Sequence, residues 1–191
     1  MMKSNIKNWV SIKVGQSFPG RLKSKPDHDY LVLDSRAVDG KGGVDQTKLV
    51  GCYSSDMLPK KWVHKDDVLL SAKSSRHRAI QFTERDLSVV ATSYFLILTI
   101  NQEGLLAEYL TWYLNHPATQ ERLQYLAAGA VIKNLSKTQL LSLEISVPPL
   151  VVQLDILKLA DEVAREQALL LTLAEKKQIL WNDRLQKLAE G

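Results

Sequence analysis

The residues best suited to chemistry are cations gathered in short, turn-rich segments of the first ninety residues. Lys73, Arg76, His77 and Arg78 lie within six positions of one another. Arginine can donate two parallel hydrogen bonds to guanine O6 and N7, and both arginine and lysine bind phosphate. Because β-type runs flank the cluster, we expect it to occupy one hairpin loop. The cluster predicts a contact with nucleic acid, for which a solvated surface loop is the alternative.

Three smaller groups of polar, mostly basic residues extend this prediction. In the first group, every second residue from 21 to 25 is basic, so an extended backbone would point these side chains in one direction. The second group directly precedes a tryptophan, and the third follows a predicted Ala-Ala-Gly-Ala turn. Solvated loops, or helix capping for the last group, are the alternatives. With the first cluster, the predicted DNA contacts are Arg21, Lys23, Lys25, Lys60, Lys61, Lys73, Arg76, His77, Arg78, Lys133 and Asn134.

The charge is distributed unevenly along the 191 residues. Residues 1–90 hold 16 Lys and Arg against 10 Asp and Glu, residues 91–150 hold 3 against 4, and residues 151–191 hold 6 against 7. The net charge of +4 therefore arises in the first part of the chain. A basic part joined to a nearly neutral one predicts two tasks, one with a polyanion and one with protein.

The sequence lacks the motifs of the catalytic and metal-binding sites that such a chain could carry. Cys52 is the only cysteine, and the four histidines are scattered without the spacing of metal ligands. The glycines at 40, 42 and 43 are not followed by the Lys-Ser/Thr of a phosphate-binding loop. Pro148-Pro149 is not part of the Asn/Asp-Pro-Pro-aromatic tetrad of an adenine methyltransferase. We therefore expect no catalytic residue, no metal and no cofactor bound by this chain.

Hydrophobic periodicity predicts a mixture of strands and helices. Helices are expected at 103–113, after Pro117 and at 138–143, the last capped by Ser136. Runs of β-branched and aromatic residues predict strands at 10–14, 30–33, 68–71, 79–82, 88–92, 94–100 and 144–147. The predicted fold class is α+β. A globular mixed α/β domain, residues 1–149, is followed by one long C-terminal helix, residues 150–191.

The long helix is predicted from two prolines and a change of composition. Pro148 and Pro149 have no backbone N–H, so a helix begins after them, and the chain then continues without Pro or Gly as far as Glu190. A four-three spacing predicts a coiled coil or helical bundle with partners, whereas folding back on its own domain is the alternative. The positions of this seam are Ile156, Ala160, Val163, Gln167, Leu170, Ala174, Lys177, Trp181, Arg184 and Leu188.

Several motifs resemble those of one known family. They are Trp9-Val-x-x-x-Val14-Gly15, Val63 to Ser71, Tyr109 to Asn115, Gly129, Ile132 to Leu135 and Ile145-x-x-Pro-Pro-Leu-x-x-Gln153. On these residues the chain resembles the specificity (S) subunit of type I restriction-modification enzymes over nearly its whole length. Asp66 stands where the family usually has glycine, and Val152 where an acidic residue is common. The chain also carries one recognition domain and one helix, where a complete subunit has two of each.

The resemblance implies a non-enzymatic protein whose recognition domain reads one half of a bipartite DNA sequence. It also implies a long helix that acts as a spacer and docks methyltransferase subunits, with a restriction subunit as a further partner. S-adenosylmethionine and ATP are then expected only in those partner subunits. With one domain and one helix, the chain is expected to pair with itself as an antiparallel homodimer.

Two other functions fit the same two-part organisation. The chain can be a protein-interaction adaptor with a coiled-coil stalk, or a stand-alone DNA-binding regulator without methyltransferase partners. The sequence has no run of 18 apolar residues, so no membrane span is predicted. The first residues also lack the apolar core of a signal peptide. A cytoplasmic location is therefore expected, with no membrane partner.

Overall fold

The computed structural model describes residues 3–39, 43–55, 58–74, 76–127 and 134–190. The chain divides into two compact units, Met1–Leu150 and Val151–Gly191. The strands and α-helices, in chain order, are β1 (Lys3–Asn5), β2 (Val10–Val14), β3 (Tyr30–Leu33), β4 (Val50–Cys52), β5 (Trp62–Val63), β6 (Val68–Ser71), β7 (Ala79–Gln81), β8 (Val89–Ala91), β9 (Phe95–Ile100), α1 (Ala107–Asn115), α2 (Pro117–Ala127), α3 (Lys137–Leu141), β10 (Glu144–Ser146) and α4 (Leu150–Ala189).

Two four-stranded sheets make up most of the first unit. One has the order β2-β9-β6-β7 and is antiparallel throughout. The other has the order β4-β3-β8-β5, in which only the β3–β8 pair is parallel. Strands β1 and β10 form a separate antiparallel pair. The first sheet contains the β6–β7 hairpin predicted from the sequence.

A shared hydrophobic core holds the two sheets together. Leu33 and Val89 of the second sheet belong to the same buried cluster as Leu69, Phe95 and Ile97 of the first. These side chains are at most 1% exposed. At about 25 cal/mol per Å² of apolar surface removed from water, such burial is the main source of stability of the unit. The core therefore fixes the position of the loops that leave both sheets.

The corner between α1 and α2 closes the edge of the first sheet. The Asn115 side chain bonds β7 twice, accepting from Ala79 N at 3.0 Å and donating to Ala79 O at 2.8 Å. The Gln120 side chain, 5% exposed, donates to the carbonyls of His77 and Leu114. Since an unpaired strand edge would leave buried polar groups unsatisfied, these amides take the place of a neighbouring strand.

The predicted α+β class, with a long C-terminal helix, is confirmed. Helix α4 begins at Leu150, as the two prolines predict, and α3 is capped by Ser136 in a reciprocal capping box with Gln139. Helix α1 begins at Ala107 rather than at residue 103, because the chain first turns at Gly104 with φ of +94°. The short strands β1, β4 and β5 were not predicted.

Helix α4 is 40 residues long, about 60 Å at 1.5 Å per residue. Every residue from 161 to 190 is exposed. Apolar side chains along this length are therefore in contact with solvent, among them Leu170 (58% exposed) and Trp181 (56%). Within the described residues, no helix combines the length and hydropathy that a membrane span requires.

Candidate nucleic-acid interface

The loop of the β6–β7 hairpin, residues 72–78, is held at its base by main-chain and hydroxyl hydrogen bonds. Ser71 N donates to Arg78 O (2.9 Å), and Arg78 N donates to Ser71 Oγ (2.7 Å). Ala72 N donates to Tyr94 O (2.8 Å), which ties the loop to the start of β9. The exposed residues Lys73 and Arg76 lie between these anchors, so the loop presents them on a well-supported base.

His77 lies in the interior, which corrects its prediction as a DNA contact. The side chain is 1% exposed, and its Nδ1 lies 2.9 Å from Ser71 O. Burial lowers the pKa of the imidazole below its usual 6.5, because the charged form loses its hydration. The neutral, buried ring stabilises the base of the loop and cannot contact a phosphate or a base of DNA.

The lowered pKa of His77 predicts a loss of stability in mild acid. Below the usual pKa of 6.5 the unfolded chain binds a proton that the folded chain resists, so the free energy of unfolding falls as the pH decreases. We expect denaturant unfolding to show lower stability at pH 5.5 than at pH 7.5. A His77→Gln variant should lose less stability over this interval. An equal loss in both proteins would show that other groups cause it.

One open groove lies beside the loop, with a volume of about 420 Å³. Lys73 donates from Nζ to Ser93 Oγ at 3.2 Å. Arg36 pairs with Asp34 through Nη2 and Oδ2 at 2.6 Å, and this bond raises the pKa of the guanidinium above its usual value. The residues that line the groove include Arg21, Asp34, Arg36, Lys73, Thr92, Ser93 and Tyr94.

A second groove, of about 280 Å³, adjoins the first, and Tyr94 lines both. The Arg78 side chain is half-buried there and donates from Nη1 to Asp39 O at 3.2 Å. Arg76 lines the same groove and is exposed. We refer to the two together as the cationic double groove, whose charged and aromatic residues are Arg21, Asp34, Arg36, Asp39, Lys73, Arg76, Arg78 and Tyr94.

Five cations and two carboxylates line the cationic double groove, so its local charge is positive. Arg21, Lys73 and Arg76 form no ion pair with any residue in the described part of the chain. Their charges are therefore left for a bound polyanion, since release of counterions from neutralised phosphates drives such binding. This arrangement suits a nucleic-acid backbone.

A third groove in the same unit, of about 470 Å³, has a different character. Glu121 and Glu144 line it, together with Arg122 and the exposed Tyr125. Arg122 is already bonded, since Nη1 donates to Glu144 O at 2.9 Å and Nη2 to Tyr113 Oη at 3.0 Å. The two carboxylates repel a phosphate backbone, and Arg122 already uses its guanidinium in hydrogen bonds within the unit. This groove is therefore a poorer DNA site although it is larger.

The lysines at 60 and 61 differ in their surroundings. The half-buried Lys61 donates from Nζ to Val14 O at 2.7 Å, so this bond holds its ammonium against β2. Lys60 is exposed, and its backbone N donates to the buried Gln16 side chain at 2.8 Å. Gln16 O in turn accepts from Ser93 N at 2.8 Å. Lys60 is thus connected through Gln16 to Ser93, which lines the first groove, whereas Lys61 is tied to β2 and lines neither groove.

The predicted common direction of Arg21, Lys23 and Lys25 is not found. Arg21 lines the first groove, whereas the ammonium of Lys25 lies 5.0 Å from the ring centroid of Tyr53. Lys25 N also donates to Gly51 O at 3.1 Å, which ties this segment to β4. Lys23 is exposed. Residues 21–25 do not form a strand, so their side chains are not held in one direction, and of the three cations Arg21 lines the cationic double groove.

Asn134 is exposed and lies next to the hairpin loop, because Leu135 N donates to Ala72 O at 3.0 Å. Lys133 and residues 128–130 of the predicted Ala-Ala-Gly-Ala turn lie outside the described residues. Arg36 was missed from the sequence because it stands alone among neutral and acidic neighbours. Its only local signal is the Asp34-Ser35-Arg36 sequence, in which the acid caps a 3-10 helix, Ser35–Ala37.

The predicted seam of α4 is exposed along most of its length. Ile156 and Ala160 are half-buried, whereas the other apolar seam residues are open to solvent. These exposed residues are Val163, Leu170, Ala174, Trp181 and Leu188.

Among the described residues there is no group of three His, Cys, Asp or Glu that could hold a metal ion.

Residues 56–180 match the family described as type I restriction modification DNA specificity domain. The chain belongs to this family. Type I specificity domains are the DNA-recognition components of restriction-modification complexes and are not catalytic, so the prediction that the chain is not an enzyme is confirmed by family membership. No curated protein sequence matches this specificity domain significantly.

Two solved structures share the fold of this specificity domain. One was determined in a study of complex assembly and conformational transition of the type I restriction-modification system, with a TM-score of 0.65 and 18% identity over 88% of this chain and 39% of that one. The other is the HsdS subunit from Thermoanaerobacter tengcongensis, with a TM-score of 0.65 and 18% identity over 87% of this chain and 38% of that one. The chain therefore spans about two-fifths of the length of each.

Proposed function

We propose that the first unit of this specificity domain reads one half-site of a DNA target through the cationic double groove. The observation that carries the proposal is the convergence of Arg21, Lys73 and Arg76 on two adjoining grooves without carboxylate partners among the described residues. The hairpin loop that presents two of them has its base anchored to β9 and β7. Such a loop can enter a DNA groove while its base keeps a constant shape.

Two kinds of contact are available in the cationic double groove. The ammonium of Lys73 and the guanidinium of Arg76 are exposed and adaptable, which suits contacts to phosphates that fix register without reading sequence. Arginines in the same surface can also reach base edges, where guanine offers two adjacent acceptors. A half-site would thus be positioned by its backbone and selected by a small number of base contacts.

The long helix is proposed to pair with a second copy of the chain, in an antiparallel arrangement, and to dock a methyltransferase subunit. Support comes from its 40-residue length and from the exposure of Val163, Leu170, Trp181 and Leu188. Apolar surface of this extent is unusual on a monomeric protein and marks an interaction site. Methyltransferase and restriction subunits would bring S-adenosylmethionine and ATP. A DNA reader of this kind would work in the cytoplasm.

The proposal is tested by selection from a pool of random-sequence duplexes with the wild-type chain. We expect enrichment of a short motif and an affinity whose logarithm falls linearly with the logarithm of salt concentration, by about 0.9 per neutralised phosphate. Binding without an enriched motif would contradict sequence recognition. An affinity that does not change with salt would contradict the role of the cationic double groove.

A further inference from the structure

We propose that Arg36 is a base-reading residue and that Asp34 is its positioning residue. The inference rests on the proposed function, since it specifies how the cationic double groove selects a base. Arg36 lines the first groove with Arg21 and Lys73, and 51% of its side chain is exposed. Unlike those two cations, it is held by three hydrogen bonds to one carboxylate.

The carboxylate of Asp34 fixes both the backbone and the side chain of Arg36. Asp34 Oδ1 accepts from Arg36 N at 2.8 Å, the capping bond of the 3-10 helix at Ser35–Ala37. Asp34 Oδ2 accepts from Nε at 2.9 Å and from Nη2 at 2.6 Å. The guanidinium therefore has a set direction before any ligand arrives. Preorganisation of this kind reduces the entropy lost on binding.

The hydrogen bonds to Asp34 leave a defined set of donors on Arg36. A guanidinium has five N–H groups, of which Nε–H and one N–H of Nη2 point to Asp34. The remaining edge carries parallel N–H groups on Nη1 and Nη2. That edge matches guanine, which presents O6 and N7 side by side, and it does not match adenine, which presents one acceptor and one donor.

Charge also favours a base over a phosphate as the ligand of Arg36. The ion pair with Asp34, whose side chain is only 15% exposed, already compensates the guanidinium charge. A compensated cation adds little to the attraction of a phosphate, but its directed N–H groups keep their hydrogen-bonding capacity. Arg21, Lys73 and Arg76, which have no ion pair among the described residues, are better placed to neutralise phosphates.

The test compares the base preferences of four proteins selected in parallel from a pool of random-sequence duplexes. Arg36→Lys keeps the positive charge but loses the edge with two parallel N–H donors. Asp34→Asn removes the carboxylate, but its amide oxygen can still accept the capping bond from Arg36 N. Arg85→Lys is the matched control, since Arg85 is exposed and lines neither groove of the cationic double groove. Circular dichroism verifies that each variant is folded.

We expect wild type and Arg85→Lys to select the same guanine at one position. Arg36→Lys should lose discrimination there by about 5- to 150-fold with an unchanged salt dependence. Asp34→Asn should bind random DNA at least as tightly as wild type and still relax the preference at the same position. A purely electrostatic role would leave the preference of both variants unchanged, and that result would overturn the inference alone. If wild type selected no motif, the proposed function would fail with it.

Discussion

Replacing Lys73 and Arg76 together with glutamate is expected to weaken binding to duplex DNA by about a hundredfold to a thousandfold at low salt. Two attractive charges become two repulsive ones, and a pair of exposed charges at about 4 Å in water contributes about 1 kcal/mol. Both side chains are exposed, and neither forms an ion pair among the described residues, so the fold should be retained. The measurement is a fluorescence anisotropy titration over a range of salt concentrations.

The matched control for this double variant is Lys7→Glu with Arg85→Glu. It changes the net charge by the same amount at exposed residues that line neither groove of the cationic double groove. It should weaken binding far less and keep the wild-type slope of affinity against salt. The groove variant should lose about two phosphate contacts from that slope. Equal effects of the two double variants would mean that net charge alone, and not this surface, governs DNA binding.

Leu170→Glu is expected to raise the dissociation constant for self-association by at least about a hundredfold. Truncating a buried leucine to alanine costs about 2 to 5 kcal/mol, and a carboxylate in an apolar interface costs more. The variant should behave as a monomer of 21.5 kDa in light scattering at concentrations where the wild type has twice that mass. The exposed position of Leu170 means that the substitution removes no contact within the chain.

Thr172→Glu provides the control for that experiment. Thr172 is exposed and lies two residues further along α4, about 200° around the helix from Leu170. The variant introduces the same charge into the same turn, so any effect on helix formation should be shared by the two proteins. It should keep the dimeric mass. A monomeric wild type, or a dimer that persists in Leu170→Glu, would contradict pairing through this seam.

Features with a local physical cause could be predicted from the sequence. Helix α4 begins at Leu150 because two successive prolines prevent an earlier start, and α3 follows Ser136 because a serine hydroxyl can accept from the backbone three residues later. Strands β3 and β6 each contain three successive branched apolar residues, Leu31 to Leu33 and Val68 to Leu70. Strands β4 and β5 have three residues and two, and they exist because β3 and β8 lie beside them. Local composition carries no information about such neighbours.

The candidate site illustrates the same limit. A concentration of cations predicted the hairpin loop, but the burial of His77 depends on how the loop folds onto Ser71 and the α1–α2 corner. Arg21, Arg36 and Lys73 line one groove although they are separated in sequence by 15 and 37 residues. Only the packing of the two sheets brings them together. The cluster of charges in the sequence was therefore enough to locate the surface. The full set of residues that line the surface could be identified only from the tertiary structure.

The most direct test of DNA reading by the cationic double groove is backbone amide exchange of the full chain with and without a duplex that carries its selected sequence. If the cationic double groove binds DNA, exchange should slow in residues 34–37, 72–78 and 92–94. It should remain unchanged in residues 121–125 and 142–144, which line the acidic third groove. Protection of the third groove, with no change around the hairpin loop, would contradict the central claim that this loop and its two grooves form the DNA-reading surface.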